Sequence, residues 1–228
     1  RMWQPALLDI ARTCYLAPKE PTYFAEWASL DLRVKRYDEG ISAATHCIEL
    51  APEYADGYLL LGLLQKEKGN KEEAIKNLKK AQELGDSRAG EFYRHQEAQI
   101  NFVKGEYQKA YDTFMDLTNT SLLSGELYFE AAQAKKNLKA PAKEIEVLLD
   151  SAVSVGSKTG MVANYYLARA EFLKEQGEFR RAIQDYNMYD SIARPVSPVF
   201  FYTRYQCETK LRMWQPALLD IARTCYLA

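Results

Sequence analysis

Apolar and small residues recur at intervals of three and four along nearly the whole chain, the spacing of one face of an α-helix. Residues 55–88, ADGYLLLGLLQKEKGNKEEAIKNLKKAQELGDSR, show it most cleanly. Tyr58, Leu61, Gly62 and Gln65 share a face of a first predicted helix, and Ala74, Leu78 and Ala81 share a face of a second. Gly69-Asn70 interrupts the pattern and predicts a tight turn between them. Gly62 and Ala74 stand where two backbones would come close, and Ala81 where a next helix would enter. Asn70 is placed to cap the second helix, with Glu73 three residues on as its partner. Glu72 and Glu73 near the start of that helix, and Lys79 and Lys80 near its end, complement its dipole. No sustained period-two alternation and no Asn-Gly hairpin signal occurs, so no strand is predicted.

This stretch resembles the tetratricopeptide repeat, whose pattern is a Trp, Leu-Gly, Tyr, Ala, Phe and Pro at fixed intervals over 34 residues. Tyr58 stands for the Trp, Leu61-Gly62 for the Leu-Gly, Gln65 for the Tyr, Ala74 for the Ala and Leu78 for the Phe, while Asp86 replaces the Pro. The pattern returns in register. Residues 21–54 carry Phe24, Trp27-Ala28, Tyr37, Gly40, Ala44, Cys47 and Pro52. Residues 91–124 follow after two extra residues, Ala89 and Gly90, with Ala98, Gly105, Tyr107, Ala110, Phe114 and Leu117. Residues 125–158 fit least, with Pro141 and Glu144 at the aromatic and Ala positions; Pro141 is expected to start a helix, and SVGSKTG (154–160) to be a loose connection. Residues 163–196 restore the pattern through Tyr166, Arg169-Ala170, Leu173, Gly177, Phe179, Ala182 and Tyr186, and 198–228 through Phe201, Tyr205, Glu208, Trp214, Ala217 and Ile221. Residues 1–17 read as an orphan second helix with Trp3, Ala6, Ile10 and Thr13 in place. The expected architecture is all-α: an α-solenoid of antiparallel helix pairs forming a single array over 1–228, which the resemblance makes a right-handed superhelix.

Residues 212–228, RMWQPALLDIARTCYLA, are identical to residues 1–17. A long natural repeat, an engineered permutation or overlap, and one segment written twice would each produce this. In every case the two copies need different neighbours: the first lacks the helix spelled by 198–210, the second the helix spelled by 21–34. The exposed faces are complementary between molecules, which predicts head-to-tail self-association through the terminal helices.

Composition changes this picture little. The net charge is −1, so no global charge favours nucleic acid or an anionic membrane. No apolar run approaches the roughly 18 residues of a membrane span. The chain lacks an initial Met and starts inside a motif, so it reads as a fragment, and its compartment, cytoplasmic or extracytoplasmic, stays open. Cys14, Cys47, Cys207 and Cys225 show no CxxC spacing and fall on apolar faces, where buried free thiols are expected.

Chemistry-bearing patterns are scarce. His46 and His95 lie on different repeats, and His46 beside Cys47 points away from it, so no metal or other cofactor is predicted. The Gly-containing turns carry no phosphate-loop spacing, and no Ser sits in a nucleophile motif. Asn119-Thr120-Ser121 matches a glycosylation sequon. Of two Lys-rich stretches, 66–80 is interleaved with Glu and reads as a solvated face; 135–143, with Lys135, Lys136, Lys139 and Lys143, is open to an acidic partner. What the resemblance implies is a surface: the first helix of each pair lines an inner groove for an extended peptide or partner helix. The corresponding positions are His95, Gln99 and Phe102; Phe129, Gln133 and Lys136; Tyr202, Gln206 and Thr209. Phe102 and Phe129 equally fit plain packing between helices. The paired groove positions Ala25/Ser29, Leu59/Leu63, His95/Gln99, Phe129/Gln133, Leu167/Glu171 and Tyr202/Gln206 never read Lys/Asn, so a carboxylate clamp is not expected. The expected function is a non-enzymatic protein–protein interaction scaffold. Two alternatives stand beside it: the recruiting part of a larger enzyme, and a structural array that assembles through its ends.

Overall fold

A computed structural model describes residues 3–159 and 162–227. Thirteen α-helices and no strand occur among them. Contacts gather into two compact units, Arg1–Lys104 and Gly105–Ala228. The first holds α1 (Trp3–Leu16), α2 (Pro21–Arg33), α3 (Tyr37–Leu50), α4 (Ala55–Lys68), α5 (Lys71–Glu83) and α6 (Ser87–Val103). The second holds α7 (Tyr107–Leu117), α8 (Gly125–Asn137), α9 (Ala142–Thr159), α10 (Ala163–Glu175), α11 (Phe179–Ala193), α12 (Pro198–Lys210) and α13 (Trp214–Leu227). In unit one, α2 packs with α3 and α4 with α5; in unit two, α8 packs with α9, α10 with α11 and α12 with α13.

Small side chains set the distance within a pair. Ala28 of α2 and Ala44 of α3 are both fully buried, as are Ala170 of α10 and Ala182 of α11. At Gly62 a side chain would meet Leu78 Cγ at 2.8 Å and the Ala74 carbonyl at 3.1 Å, so α4 and α5 lie as close as their backbones permit. The turn between them is closed by backbone alone: Gly69 adopts φ 91° and the Asn70 N–H donates to the Gln65 carbonyl at 2.8 Å. The same left-handed turn position is filled by Lys35, Lys139 and Arg212 in other pairs, at φ 64°, 55° and 58°.

Several expectations need correction. Asn70 occupies the N-cap of α5, but its side chain makes no capping bond; the Gly69 turn already delivers its backbone carbonyl to the Ala74 N–H at 3.0 Å. Asp86, read only as a substitute for proline, caps α6 by accepting from the Arg88 and Ala89 N–H groups at 2.9 and 3.1 Å. That cap starts α6 at Ser87, so Ala89 and Gly90 lie inside the helix rather than between repeats. Residues 154–159 are helical as the end of α9, where the Tyr165 ring fills the space beside Gly156. Gly160, the last residue of that stretch, lies outside the described residues. Pro141 stands just ahead of α9, its carbonyl accepting from the Glu144 N–H at 3.0 Å.

The two copies of RMWQPALLDIARTCYLA form the same helix in different surroundings. α1 packs on α2, which follows it, and α13 on α12, which precedes it. Cys14 is therefore buried against Phe24, Ala25 and Cys47, whereas its counterpart Cys225 is exposed, contrary to the expectation of four buried thiols. All four cysteines are free, and burial pushes the Cys47 thiol up to about 11. Conversely Ala217 and Asp220 are buried against α12, while their counterparts Ala6 and Asp9 are exposed. Asp220 takes two hydrogen bonds from the buried Arg204, at 2.6 and 2.8 Å. Removing one partner of such a buried pair costs about 3 kcal/mol. Asp220→Asn is therefore expected to lower stability by about that amount in urea denaturation, and the identical change at exposed Asp9 to leave the midpoint where it was.

Candidate partner-binding surface

In unit two the first helices of the pairs, α8, α10 and α12, form a row joined by side chains. Lys136 on α8 donates to both carboxylate oxygens of Glu175 on α10, at 3.0 and 2.8 Å. Lys174 on α10 donates to Gln206 Oε1 on α12 at 2.9 Å. The Phe129 and Tyr165 rings meet with centroids 5.8 Å apart, as do those of Tyr202 and Tyr205 on α12. Six of the groove candidates stand on this row. Gln133 and Lys136 line a notch of about 60 Å³ between α8 and α10. Phe129 is half-buried against Tyr165; Tyr202 is 46% exposed; Gln206 and Thr209 are half-buried. The other three, His95, Gln99 and Phe102, belong to α6 of unit one: His95 is buried at 5% exposure, and Gln99 and Phe102 are half-buried.

Two arginines brace the row from behind, and periodicity gave no hint of them because Arg169 occupied the Leu of a Leu-Gly pair. Arg169 on α10 bonds Asp185 on α11 through Nε and Nη2, at 2.7 and 2.8 Å, and Asp150 on α9 through Nη1 at 2.8 Å. Arg204 on α12 repeats the device with Asp220 on α13, and reaches Asp190 and Asn187 on α11 at 2.8 and 3.1 Å. The signal was in the sequence as an Arg followed sixteen residues later by an Asp, twice, one repeat apart. Fork-shaped guanidinium groups suit this role because one side chain can hold two neighbouring helices.

Most of the positive charge of the Lys-rich stretch 135–143 is matched by carboxylates, exposed Lys139 excepted. Lys135 pairs with Glu144 at 2.9 Å and lies over the Tyr111 ring, Lys136 is taken by Glu175, and Lys143 approaches Glu146 at 3.7 Å. Burial lifts the Tyr165 hydroxyl above its ordinary range, with the Glu126 and Glu130 charges acting in the same direction.

Behind the row, Glu208 is 3% exposed and its Oε2 has no partner. Burial pushes its carboxyl up to about 7; the Asp220 charge adds to this and Arg204 opposes it. Between the ordinary glutamate range and pH about 7 the folded chain holds a proton that the unfolded chain has released. The stability this contributes is complete at low pH and is lost as pH rises through about 7. Glu208→Gln, neutral throughout, is expected to be more stable than the parent at about pH 8 by about 3 kcal/mol, with the difference closing at about pH 4 in thermal melts.

Among the described residues no helix is long and apolar enough to cross a membrane, and no group of three or more His, Cys, Asp or Glu is placed to hold a metal ion. The family model of the tetratricopeptide repeat matches residues 55–84. Solved structures share the fold over more of the chain. The APC/C hetero-tetramer Cut9–Hcn1 matches at 12% identity and TM-score 0.73, over 99% of this chain and 43% of that one. PilF of Pseudomonas aeruginosa matches at 13% identity and TM-score 0.66, over 88% of both chains. The human IFIT1 dimer with PPP-AAAA matches at 14% identity and TM-score 0.60, over 99% of this chain and 55% of that one. At these identities the likeness is one of fold, and the chain spans less than half of the first of these proteins. No curated protein matches it in sequence. The repeat matched at residues 55–84 and the packed helix pairs around it give the chain an α-solenoid fold like that of tetratricopeptide-repeat structures.

Proposed function

We propose that the chain is a non-enzymatic scaffold that holds an extended peptide or a partner helix against the first helices of its pairs. The observation that carries this is the row of α8, α10 and α12. It presents an exposed aromatic surface at Tyr202, amide groups at Gln133 and Gln206, and a notch between α8 and α10, all on rigid helices cross-linked to one another. Amides pair with a peptide backbone, and aromatic rings give large contact area at little entropic cost. His95, Gln99 and Phe102 supply the corresponding positions of unit one. Selection of a random dodecapeptide library on the purified chain tests the reading. Enriched peptides are expected to lose at least about tenfold in affinity on Tyr202→Ala or Gln133→Ala, the scale of one removed interface anchor. Peptides indifferent to both changes would place binding elsewhere and defeat the reading.

A second reading, head-to-tail self-association, is favoured by the two identical helices. α1 presents Ala6 and Asp9, the side that α13 buries on α12, and α13 presents Cys225, the side that α1 buries on α2. If α1 of one copy took the place of α13 in another, Asp9 would receive the Arg204 fork and the same helix would still cover Phe24 and Ala25. Light scattering across a hundredfold concentration range is expected to show mass growing with concentration, and a constant monomer mass would end this reading.

A further inference from the structure

The partner's chemistry can be read from the charges on the same row, an inference that rests on the groove reading above. On α8 and α10 this face carries four carboxylates, Glu126, Glu130, Glu171 and Glu175, against two ammonium groups, Lys136 and Lys174. Lys136 is paired with the two oxygens of Glu175, and Lys174 is held by Gln206 but keeps its charge, so the four carboxylates still outnumber the two ammonium groups. Among the described residues Glu126 and Glu171 have neither an ion-pair nor a hydrogen-bond partner. The field of Glu126 and Glu130 reaches the Tyr165 hydroxyl between α8 and α10, and that of Glu171 and Glu175 reaches the Tyr186 hydroxyl behind α10. The face is therefore negative where it is free.

The notch between α8 and α10 lies under this charge. Its rim is Gln133, Lys136 and Glu171; its floor includes the buried Ala132, Leu149 and Phe172. At about 60 Å³ it holds roughly two waters' worth of volume, which suits a short aliphatic side chain and excludes an aromatic ring. Ala132 and Ala168 leave the space open, since a longer side chain at either would fill it. The rim charges sum to one positive and one negative, but the positive one is already paired. A ligand side chain entering here finds an apolar floor, an amide at Gln133 for its backbone and an uncompensated carboxylate at Glu171.

We propose that the occupant of this row is an extended segment in which a short aliphatic residue is flanked by Lys or Arg, the aliphatic side chain entering the notch and a neighbouring cation meeting Glu171. In a polyproline-II-like extended segment, with three residues per turn, successive side chains point about 120° apart, so the long stem of a flanking Lys or Arg can follow the rim towards Glu171 while the aliphatic group points in. The pairing is solvent-exposed and thus salt-sensitive, which gives it a signature that packing alone lacks.

Fluorescence anisotropy with terminally capped nonapeptides tests this on the whole chain. Three probes are compared: a Lys-Val-Lys centre in a Gly-Ser frame, the same with Glu-Val-Glu, and the same with Gln-Val-Gln. At about 50 mM salt the Lys peptide is expected to bind at least about tenfold more tightly than the Glu peptide, with the gap shrinking at about 0.5 M salt. Glu171→Lys, a change on an exposed side chain, is expected to remove or reverse that preference. Ala168→Leu, which fills the notch, is expected to weaken all three probes. Equal binding of the Lys and Glu peptides, or tighter binding of the Glu peptide, would overturn the charge assignment while leaving a peptide groove in place. If no probe binds at millimolar concentration while peptides selected from the random library do bind through Tyr202, the groove stands and this occupant is wrong. If neither set binds, both readings fall together.

Discussion

Backbones in this chain approach one another through alanine and glycine, and the rest of the structure depends on that closeness. Where Ala28 meets α3, or Gly62 meets Leu78 and the Ala74 carbonyl, no side chain keeps the helices apart. A pair packed this tightly still leaves apolar surface on its outer sides, because two amphipathic helices have no other layer to hide it. Each pair must therefore be covered by its neighbours, and the chain grows by repetition. The polar cross-links come second: they fix which helices stand side by side once the small residues have brought them within reach.

The repeats were legible because this steric demand recurs at a fixed interval and tolerates little else. Ala44, Ala74, Ala110, Ala182 and Ala217 are buried to 2% exposure or less, and each fell on the expected position. What was misread lay where backbone or charge decides instead. Asn70 looked like a cap, yet the turn at Gly69 already closes the end with main-chain bonds. Asp86 looked like a missing proline, yet its carboxylate starts the next helix. SVGSKT looked loose by composition, but packing of Tyr165 against Gly156 outweighs the weak helix propensity of Ser and Gly.

The candidate surface was less legible than the fold, and for a physical reason. Periodicity tells which side of a helix a residue takes but not what it meets there. Lys135 and Lys136 formed a basic cluster on paper; in the folded chain Glu144 and Glu175, from two other helices, neutralise them. Arg169 was read only as the partner of Ala170 at a pattern position and Arg204 was not singled out, although each holds two helices through a fork of hydrogen bonds. Charge balance at a surface is a property of several helices at once, and a single-helix pattern cannot contain it.

The helix that occurs twice carries this point furthest. Its aspartate is solvent-exposed at position 9 and an internal ion-pair partner at position 220; its cysteine is sealed at position 14 and open at 225. One string of amino acids thus has two patterns of tolerance to substitution, each written by the neighbour it covers.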